Sequence, residues 1–421
     1  MKRYGYLWEK FISKENFKLA FKNASRGRRS VKSIRIYESN LDENLENLRE
    51  KLSTGLWKHG PYRHRTVFEP NKRDISICKF EDRIVHWAIV NIIQPIFEPT
   101  FISEAYACRK GFGQHKASKK VAEYTRKYEY VYKFDHSKYY PTMCHDYLKS
   151  RLRSKIKDER FLNVIFGVID SQEIGVPIGN LTSQIFGNIY RTPLDRMIKE
   201  KLRAKAYVNY MDDGMVFSND KDFLRETKRE VELFVQNVQK QKLSKSEIFK
   251  TNRGVDALGY RHFKRYILLR KRTVRRMKRS FARLQSLTYE SALGKIASAM
   301  GLLKHCCSKH LADKLKIKEL FGSYMKKFSE IRHSNDCLFE GTHLKIDEIL
   351  DKEIILLGFK AQKSKLNNDD YVIIAFELKG EKHVTFTGSK ILREKLAEYA
   401  NEIPFSVTIT RPTGKNYYAF V

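Results

Sequence analysis

Two short apolar segments of this chain run straight into acid. Tyr130-Val131-Tyr132-Lys133-Phe134 ends at Asp135. Ala206-Tyr207-Val208-Asn209-Tyr210 ends at Met211-Asp212-Asp213-Gly214, and apolar character resumes at Met215-Val216-Phe217. Runs of this length, rich in Val, Tyr and Phe, read as β-strands, and the second with its restart reads as a hairpin whose tight turn carries the acid pair. If the strands are neighbours, three carboxylates converge with no basic partner written into the turn. Such a cluster repels itself unless a divalent cation neutralises it, and hard carboxylate oxygens suit Mg²⁺. An Asp-Asp-Gly turn is commonplace on its own, so an ordinary hairpin is the competing reading of the turn.

The rest of the chain has the opposite sign. Its 421 residues include 82 Lys and Arg against 49 Asp and Glu, a net charge of +33. That excess points to a polyanionic partner, nucleic acid or an anionic membrane surface. Residues 340–421 carry 12 basic and 12 acidic side chains, so the whole excess lies in the first 339 residues. A basic body is followed by a neutral tail, and the step marks a domain boundary. An apolar content of 42% allows substantial cores and excludes a disordered chain.

No stretch approaches the roughly 18–20 apolar residues of a membrane span, so no membrane partner is expected. The first ten residues lack the apolar core of a signal peptide, and six scattered cysteines form no disulfide framework. A reducing, cytoplasmic setting is expected. Cys306-Cys307, flanked by His305 and His310, lacks the spaced cysteines of a zinc site.

Residues 1–60 are expected to be helical, interrupted by Ser25-Arg26-Gly27-Arg28-Arg29-Ser30, with Leu41, Leu45, Leu48 and Leu52 on one face. Residues 62–77 alternate like a hairpin, and 81–98 return to a helix with Ile84, Ala88, Ile92 and Ile96 aligned. A helix begins near Leu181-Thr182-Ser183, another covers about 222–241, and 264–333 read as helical and very basic. The tail alternates in four runs (372–378, 383–387, 405–409, 417–420) around a helix at 389–401, a small α+β unit that is β-rich or OB-like.

Phe134-Asp135-His136-Ser137-Lys138-Tyr139-Tyr140-Pro141, Gly175-Val176-Pro177-Ile178-Gly179-Asn180-Leu181-Thr182-Ser183-Gln184 and Tyr210-Met211-Asp212-Asp213 occur in that order. Together they closely resemble the three central palm motifs of reverse transcriptases. The resemblance runs from about Pro61 to Leu311. It takes in Phe80-Glu81-Asp82-Arg83-Ile84-Val85-His86, Ala105-Tyr106-Ala107-Cys108-Arg109-Lys110-Gly111 and Leu258-Gly259-Tyr260-Arg261. It implies an α+β right-hand polymerase fold. Residues 1–60 would be a basic helical extension, 61–262 fingers and palm, 263–335 a basic helical thumb, and 340–421 a small neutral C-terminal domain. It also implies an RNA-directed DNA polymerase that copies an RNA template into DNA from dNTPs with two Mg²⁺ ions, Mn²⁺ being the alternative.

By resemblance, Asp135, Asp212 and Asp213 are the catalytic metal ligands. Tyr140 falls where the family places an aromatic gate against a ribose 2′-hydroxyl, with ordinary packing as the other reading. Lys72 and Arg73 resemble the fingers residues that clamp the triphosphate, and Lys245 resembles a lysine that protonates the leaving pyrophosphate. Ile178, Gly179 and Gln184 belong to the middle, nucleotide-binding motif. Leu258-Gly259-Tyr260 resembles the primer grip. Arg272, Arg275, Arg276, Arg279 and Arg283 fall on one face of an expected helix and suit a template–primer backbone, or form a solvated charge run. Arg26, Arg28, Arg29 and Lys32 are candidates for gripping structured RNA, and Tyr371, Phe386 and Tyr418 in the tail for stacking on single strands.

The middle motif departs from the retroviral pattern, which has a glutamine where Ile178 stands. Losing that hydrogen bond, worth about 0.5–1.5 kcal/mol, loosens the hold on the nucleotide and points to low fidelity. The Ile-Gly-x-x-x-Ser-Gln form resembles the enzymes of diversity-generating retroelements, and also those of the "unknown group" and phage-defence branches. Two settings follow. One is anti-phage defence with a dedicated structured non-coding RNA, towards which the neutral tail tilts the reading. The other is a mutagenic retroelement with an accessory protein. A homo-oligomer is a further possible arrangement, and an RNA-binding scaffold with a silent palm is the reading from another class.

Overall fold

The chain opens with four helices, α1 (Leu7–Ile12), α2 (Lys14–Ser25), α3 (Lys32–Ser39) and α4 (Leu41–Ser53). The coordinates are a computed structural model that describes residues 3–29, 31–68, 72–321, 342–363, 370–378, 380–399, 405–412 and 417–420. Ser13 caps α2 by accepting the Asn16 N–H, and α4 buries Leu45, Leu48 and Leu52, leaving Leu41 half-buried. The hairpin β1 (Arg63–Phe68) and β2 (Lys72–Ile77) precedes α5 (Phe80–Phe97). Ile84, Ala88, Ile89 and Ile93 of α5 are wholly buried in one core with Phe11, Phe17 and Phe161.

After α6 (Gln114–Lys127) come β3 (Tyr130–His136), α7 (His145–Arg153), α8 (Glu159–Ile169) and α9 (Leu181–Arg196). The hairpin β4 (Ala206–Tyr210) and β5 (Asp213–Ser218), α10 (Lys221–Asn237) and β6 (Leu243–Lys250) complete a four-stranded sheet of order β4-β5-β3-β6, antiparallel throughout. Strand alternation sorts its side chains. Tyr132, Phe134, Tyr207 and Val216 pack with Leu224, Val231 and Val235 of α10. Val131, Val208, Met215 and Phe217 pack with Ala117 and Val121 of α6. Lys133 and Asp135 share the second face with Val131.

A second antiparallel sheet joins β7 (Val255–Ala257), β8 (Tyr260–His262) and β9 (Ile267–Leu269). The helical expectation from residue 264 is corrected here. Ile267-Leu268-Leu269 pairs with β8 and buries Leu269, so the chain stays extended until α11 (Lys271–Phe281) begins. Arg283 lies beyond the end of α11 and is not on its arginine face. α12 (Tyr289–Leu303) and α13 (Lys309–Lys314) follow; residues 322–335 of the expected thumb are outside the described residues.

Contacts divide the chain into two units, Met1–Lys278 with Leu302–Ser308, and Arg279–Gly301 with Lys309–Val421. The second holds a six-stranded sheet of β10 (Thr342–His343), β11 (Glu353–Lys363), β12 (Asp370–Leu378), β13 (Glu381–Thr387), β14 (Phe405–Thr410) and β15 (Ala419–Phe420), with α14 (Lys390–Glu398) between β13 and β14. Its order, β10-β13-β12-β11-β14-β15, is that of an open sheet with one parallel pair, not of an OB-like barrel. Leu392 and Leu396 of α14 cover Ile354, Leu356, Val372, Ile374 and Phe376. The sequence reading lacks β11 because a register shift between Leu356 and Gly358 breaks its alternation.

His86 on α5 is 1% exposed, and among the described residues neither ring nitrogen has a hydrogen-bond partner. Burial, helped by His59 and Arg83, pushes its imidazole down to about 3. An unfolded histidine takes a proton near pH 6.5, so stability falls as pH drops from about 6.5 towards 3, by up to ~1.4 kcal/mol per unit for this residue. Urea unfolding between pH 7 and pH 5 should show a flatter slope for His86→Phe than for the wild type. An unchanged slope would mean that the folded ring takes up its proton over the same pH range as an unfolded histidine.

Candidate active site

The three acids meet where the central strands end. Asp135, next to last in β3, is the register partner of Asp213 on β5 and of Lys245 on β6. Asp212 occupies the turn between β4 and β5, next to Met211, whose φ of +59° is left-handed. A methionine holds that conformation only under packing constraint. Met211 is buried, and its sulfur fills the space above Gly187 of α9, where a Cβ would come within 2.7 Å of it.

A buried polar network backs the turn. Arg191 of α9 donates from Nε to Asp195 Oδ1 (3.1 Å), from Nη2 to the Tyr207 hydroxyl (3.2 Å) and from Nη1 to His136 Nδ1 (2.9 Å). The Tyr207 hydroxyl and Asn209 Nδ2 donate to the Asp195 carboxylate at 2.7 and 2.8 Å. With Nδ1 accepting, His136 carries its proton on Nε2 and donates to Gln239 Oε1 (3.2 Å). Its main-chain N–H donates to the Asp212 carbonyl (3.3 Å), which ties the turn to β3. Burial and then the Arg191 charge push His136 down to about 3, so it stays neutral. Gly214 is required beside this network, since a Cβ there would lie 2.3 Å from the Phe134 ring.

Burial first, and neighbouring charge second, raise two of the three carboxylates. Burial, then Asp213 and Asp135, push Asp212 up to about 6; burial and then Asp213 raise Asp135. The turn itself holds no base, but β3 brings one to the trio. Lys133 Nζ stands 3.6 Å from Asp213 Oδ1, and the Ser244 hydroxyl donates to Asp135 Oδ2 at 3.0 Å. Among the described residues no three His, Cys, Asp or Glu side chains form a ready metal-ligating group. The donor set still fits a hard divalent cation, being all oxygen, half-buried and mutually repelling, a repulsion that a +2 charge relieves.

The acids line a cleft of about 1010 Å³ rimmed by Arg73, Lys133, Lys138, Lys245, Arg270 and Arg272, with Tyr140, Ile178, Tyr210, Leu258 and Gly259 also on its wall. Most of the expected site is therefore brought together. Leu258 and Gly259 both have left-handed φ (+55° and +85°), and Gln114 Nε2 donates to the Leu258 carbonyl at 2.6 Å. Gly179, at φ +120°, serves as a docking point: a Cβ would lie 2.6 Å from the Ser76 carbonyl, and the Ser76 N–H donates to Ile178 O at 2.8 Å. These contacts seat the β1–β2 hairpin on the middle motif. Lys72 pairs through its backbone with Phe68; its side chain is outside the described residues.

Two of the expected residues lie off the cleft wall. Gln184 is exposed and lines a separate small pocket with Cys108, Arg109 and Asn188, because the α9 turn that begins at Leu181 points it away from the cleft. Tyr260 is wholly buried, with its hydroxyl donating to Leu302 O at 3.1 Å, so it supports the β7–β9 sheet from within. Arg275, Arg276 and Arg279 are exposed on α11, and Arg272 lines the cleft. Sequence reasoning missed Lys133, Lys138, Ser244, Arg270 and the Arg191–Asp195 pair. Lys133 was findable, since it precedes Asp135 by two and so shares its strand face.

Residues 59–262, just under half of the chain, match the family model described as reverse transcriptase (RNA-dependent DNA polymerase). Residues 340–421 match a domain of unknown function. Among curated proteins, the chain is similar to protein YkfC of Escherichia coli (strain K12), 28% identical over 188 residues, 40% of this chain and 49% of that one. It is also similar to an uncharacterized 91 kDa protein in the cob intron of Schizosaccharomyces pombe, 27% identical over 144 residues, 32% of this chain and 18% of that one. The group II intron-encoded protein LtrA of Lactococcus lactis subsp. cremoris is 22% identical over 170 residues, 37% of this chain and 28% of that one. The chain thus spans at most about half the length of these relatives.

Arg191→Met should cost about 3–5 kcal/mol in urea unfolding, because it leaves the Asp195 carboxylate buried without its counter-charge. A loss below about 1 kcal/mol would show that the network does not brace the turn.

Proposed function

We propose that the chain is an RNA-directed DNA polymerase that copies an RNA template into cDNA, joining dNTPs to a primer 3′-hydroxyl with two Mg²⁺ ions, or Mn²⁺ in their place. The observation that carries this reading is the meeting of Asp135 and Asp213 in register, with Asp212 beside them, in a cation-rimmed cleft within the reverse transcriptase domain. Asp135, Asp212 and Asp213 would hold the ions. When bound, these supply the charge that activates the 3′-hydroxyl and stabilises the leaving pyrophosphate.

The chain's own groups do the rest. Arg73 engages the triphosphate by a charge-assisted fork and Lys72 as a point charge. Lys245, across the ladder from Asp135, supplies a proton to the leaving pyrophosphate. The half-buried Tyr140 ring closes the space that a ribose 2′-hydroxyl needs. Ile178 offers no hydrogen bond to the nucleotide. Leu258 and Gly259 present backbone to the primer end, and Arg272, with the exposed arginines of α11, follows the duplex phosphates. Residues 61–262 act as fingers and palm, 263–335 as thumb, and 1–60 and 340–421 as flanking modules.

The setting we favour is anti-phage defence with a dedicated structured non-coding RNA, towards which the neutral module at 340–421 tilts the reading. Ile178 favours the second reading, a mutagenic retroelement with an accessory protein. Among the described residues no helix is long and apolar enough to cross a membrane, and the reading places the protein in the cytoplasm. Sequencing nucleic acid co-purified with the protein separates the settings. One structured RNA with its cDNA supports the first, and mutated copies of a protein-coding repeat support the second.

Extension of a DNA primer on an RNA template with Mg²⁺ and dNTPs is expected from the intact protein and not from Asp212→Asn or Asp213→Asn. No product from the intact protein would leave the RNA-binding scaffold as the better reading. Tyr140→Ala should shift relative kcat/KM towards rNTPs by about 10- to 100-fold; an unchanged ratio would assign Tyr140 to packing.

A further inference from the structure

Lys133 bonds in two directions at once. It lies two residues before Asp135 on the same face of β3, with its side chain 14% exposed. Its Nζ stands 3.6 Å from Asp213 Oδ1 and donates to the Asp256 carbonyl of β7 at 2.7 Å. The Asp256 carboxylate in turn pairs with Arg270, the residue before α11. A series of contacts, from Asp213 through Lys133 to the Asp256 main chain and from the Asp256 carboxylate to Arg270, runs from the acid cluster to the foot of the basic helix. The carbonyl bond matters most, because it anchors the ammonium where a freely rotating lysine would swing into solvent.

We propose that Lys133 is the resident counter-cation of the acid cluster. It neutralises Asp213 when no metal is bound, competes with a divalent cation for that carboxylate, and through Asp256 links occupancy of the site to the β7–β9 sheet. Lys133 is thus a positioning residue that acts through Asp213. The proposal rests on the reading of the three acids as metal ligands. Three carboxylates with no counter-charge would destabilise the metal-free fold, while a permanently fixed cation would weaken metal binding. A half-buried ion pair at 3.6 Å is a compromise between the two.

The test uses the full-length protein without nucleic acid, titrated with MgCl₂ at constant ionic strength and followed by calorimetry and thermal unfolding. The wild type is expected to bind Mg²⁺ and melt higher with it than in EDTA. K133M should melt lower in EDTA, gain more from Mg²⁺ and bind it about threefold more tightly or better. K133Q, which keeps a donor for the Asp256 carbonyl but not the charge, should show the same tightening and stands in if K133M does not fold. K133R should behave as the wild type. In a D213N background K133M should have no further effect on Mg²⁺ affinity. If neither the wild type nor D213N responds to Mg²⁺, the metal-ligand reading fails and this proposal with it. If the wild type responds and the neutral variants bind Mg²⁺ with wild-type affinity, or K133R tightens as they do, the counter-cation proposal alone is overturned.

Discussion

Repulsion among Asp135, Asp212 and Asp213 is the constraint around which the palm is organised. Antiparallel register forces Asp135 and Asp213 to be neighbours, and the turn adds Asp212 beside them. Half-burial raises the proton affinity of Asp135 and Asp212, and the neighbouring carboxylates add to it. Such a cluster is stable only if the surrounding protein holds it by force of packing and hydrogen bonding. Met211 wedged above Gly187, the His136 N–H on the Asp212 carbonyl, and the buried Arg191–Asp195 pair behind them supply that hold. Strain and repulsion are concentrated at this one turn.

Charge is distributed to match. Cations rim the cleft and cover α11, while the acids sit at its floor. A polyanion entering the cleft would meet Lys and Arg before it reached the acids. The module at 340–421 departs from this pattern. Its net charge is zero, and among its described residues α14 covers an open sheet.

Much of this was legible in the residues themselves. Alternation and turn chemistry located β3, β4 and β5, because a strand buried against helices must be apolar until the chain leaves the core, and here it leaves at acid. Motif order placed Tyr140, Ile178, Lys245 and Arg73 on one cleft. Legibility failed where a local pattern was overruled by a distant partner. Ile267-Leu268-Leu269 looks like the start of a basic helix until β8 pairs with it. The bulge at Gly358 hides β11. Gln184 was misplaced because a helix turns its side chains through 100° per residue, and motif membership does not say which way a given one faces. Lys133 and Ser244 were overlooked because their partners lie across the ladder, 80 and 109 residues away in sequence.

The most direct test is diffraction from crystals soaked in MnCl₂, measured at the manganese absorption edge. The account predicts an anomalous peak within about 2.1–2.4 Å of carboxylate oxygens from Asp135 and Asp212 or Asp213, lost in Asp212→Asn crystals. A well-ordered site with no peak between those acids, or a peak only elsewhere on the chain, would contradict it.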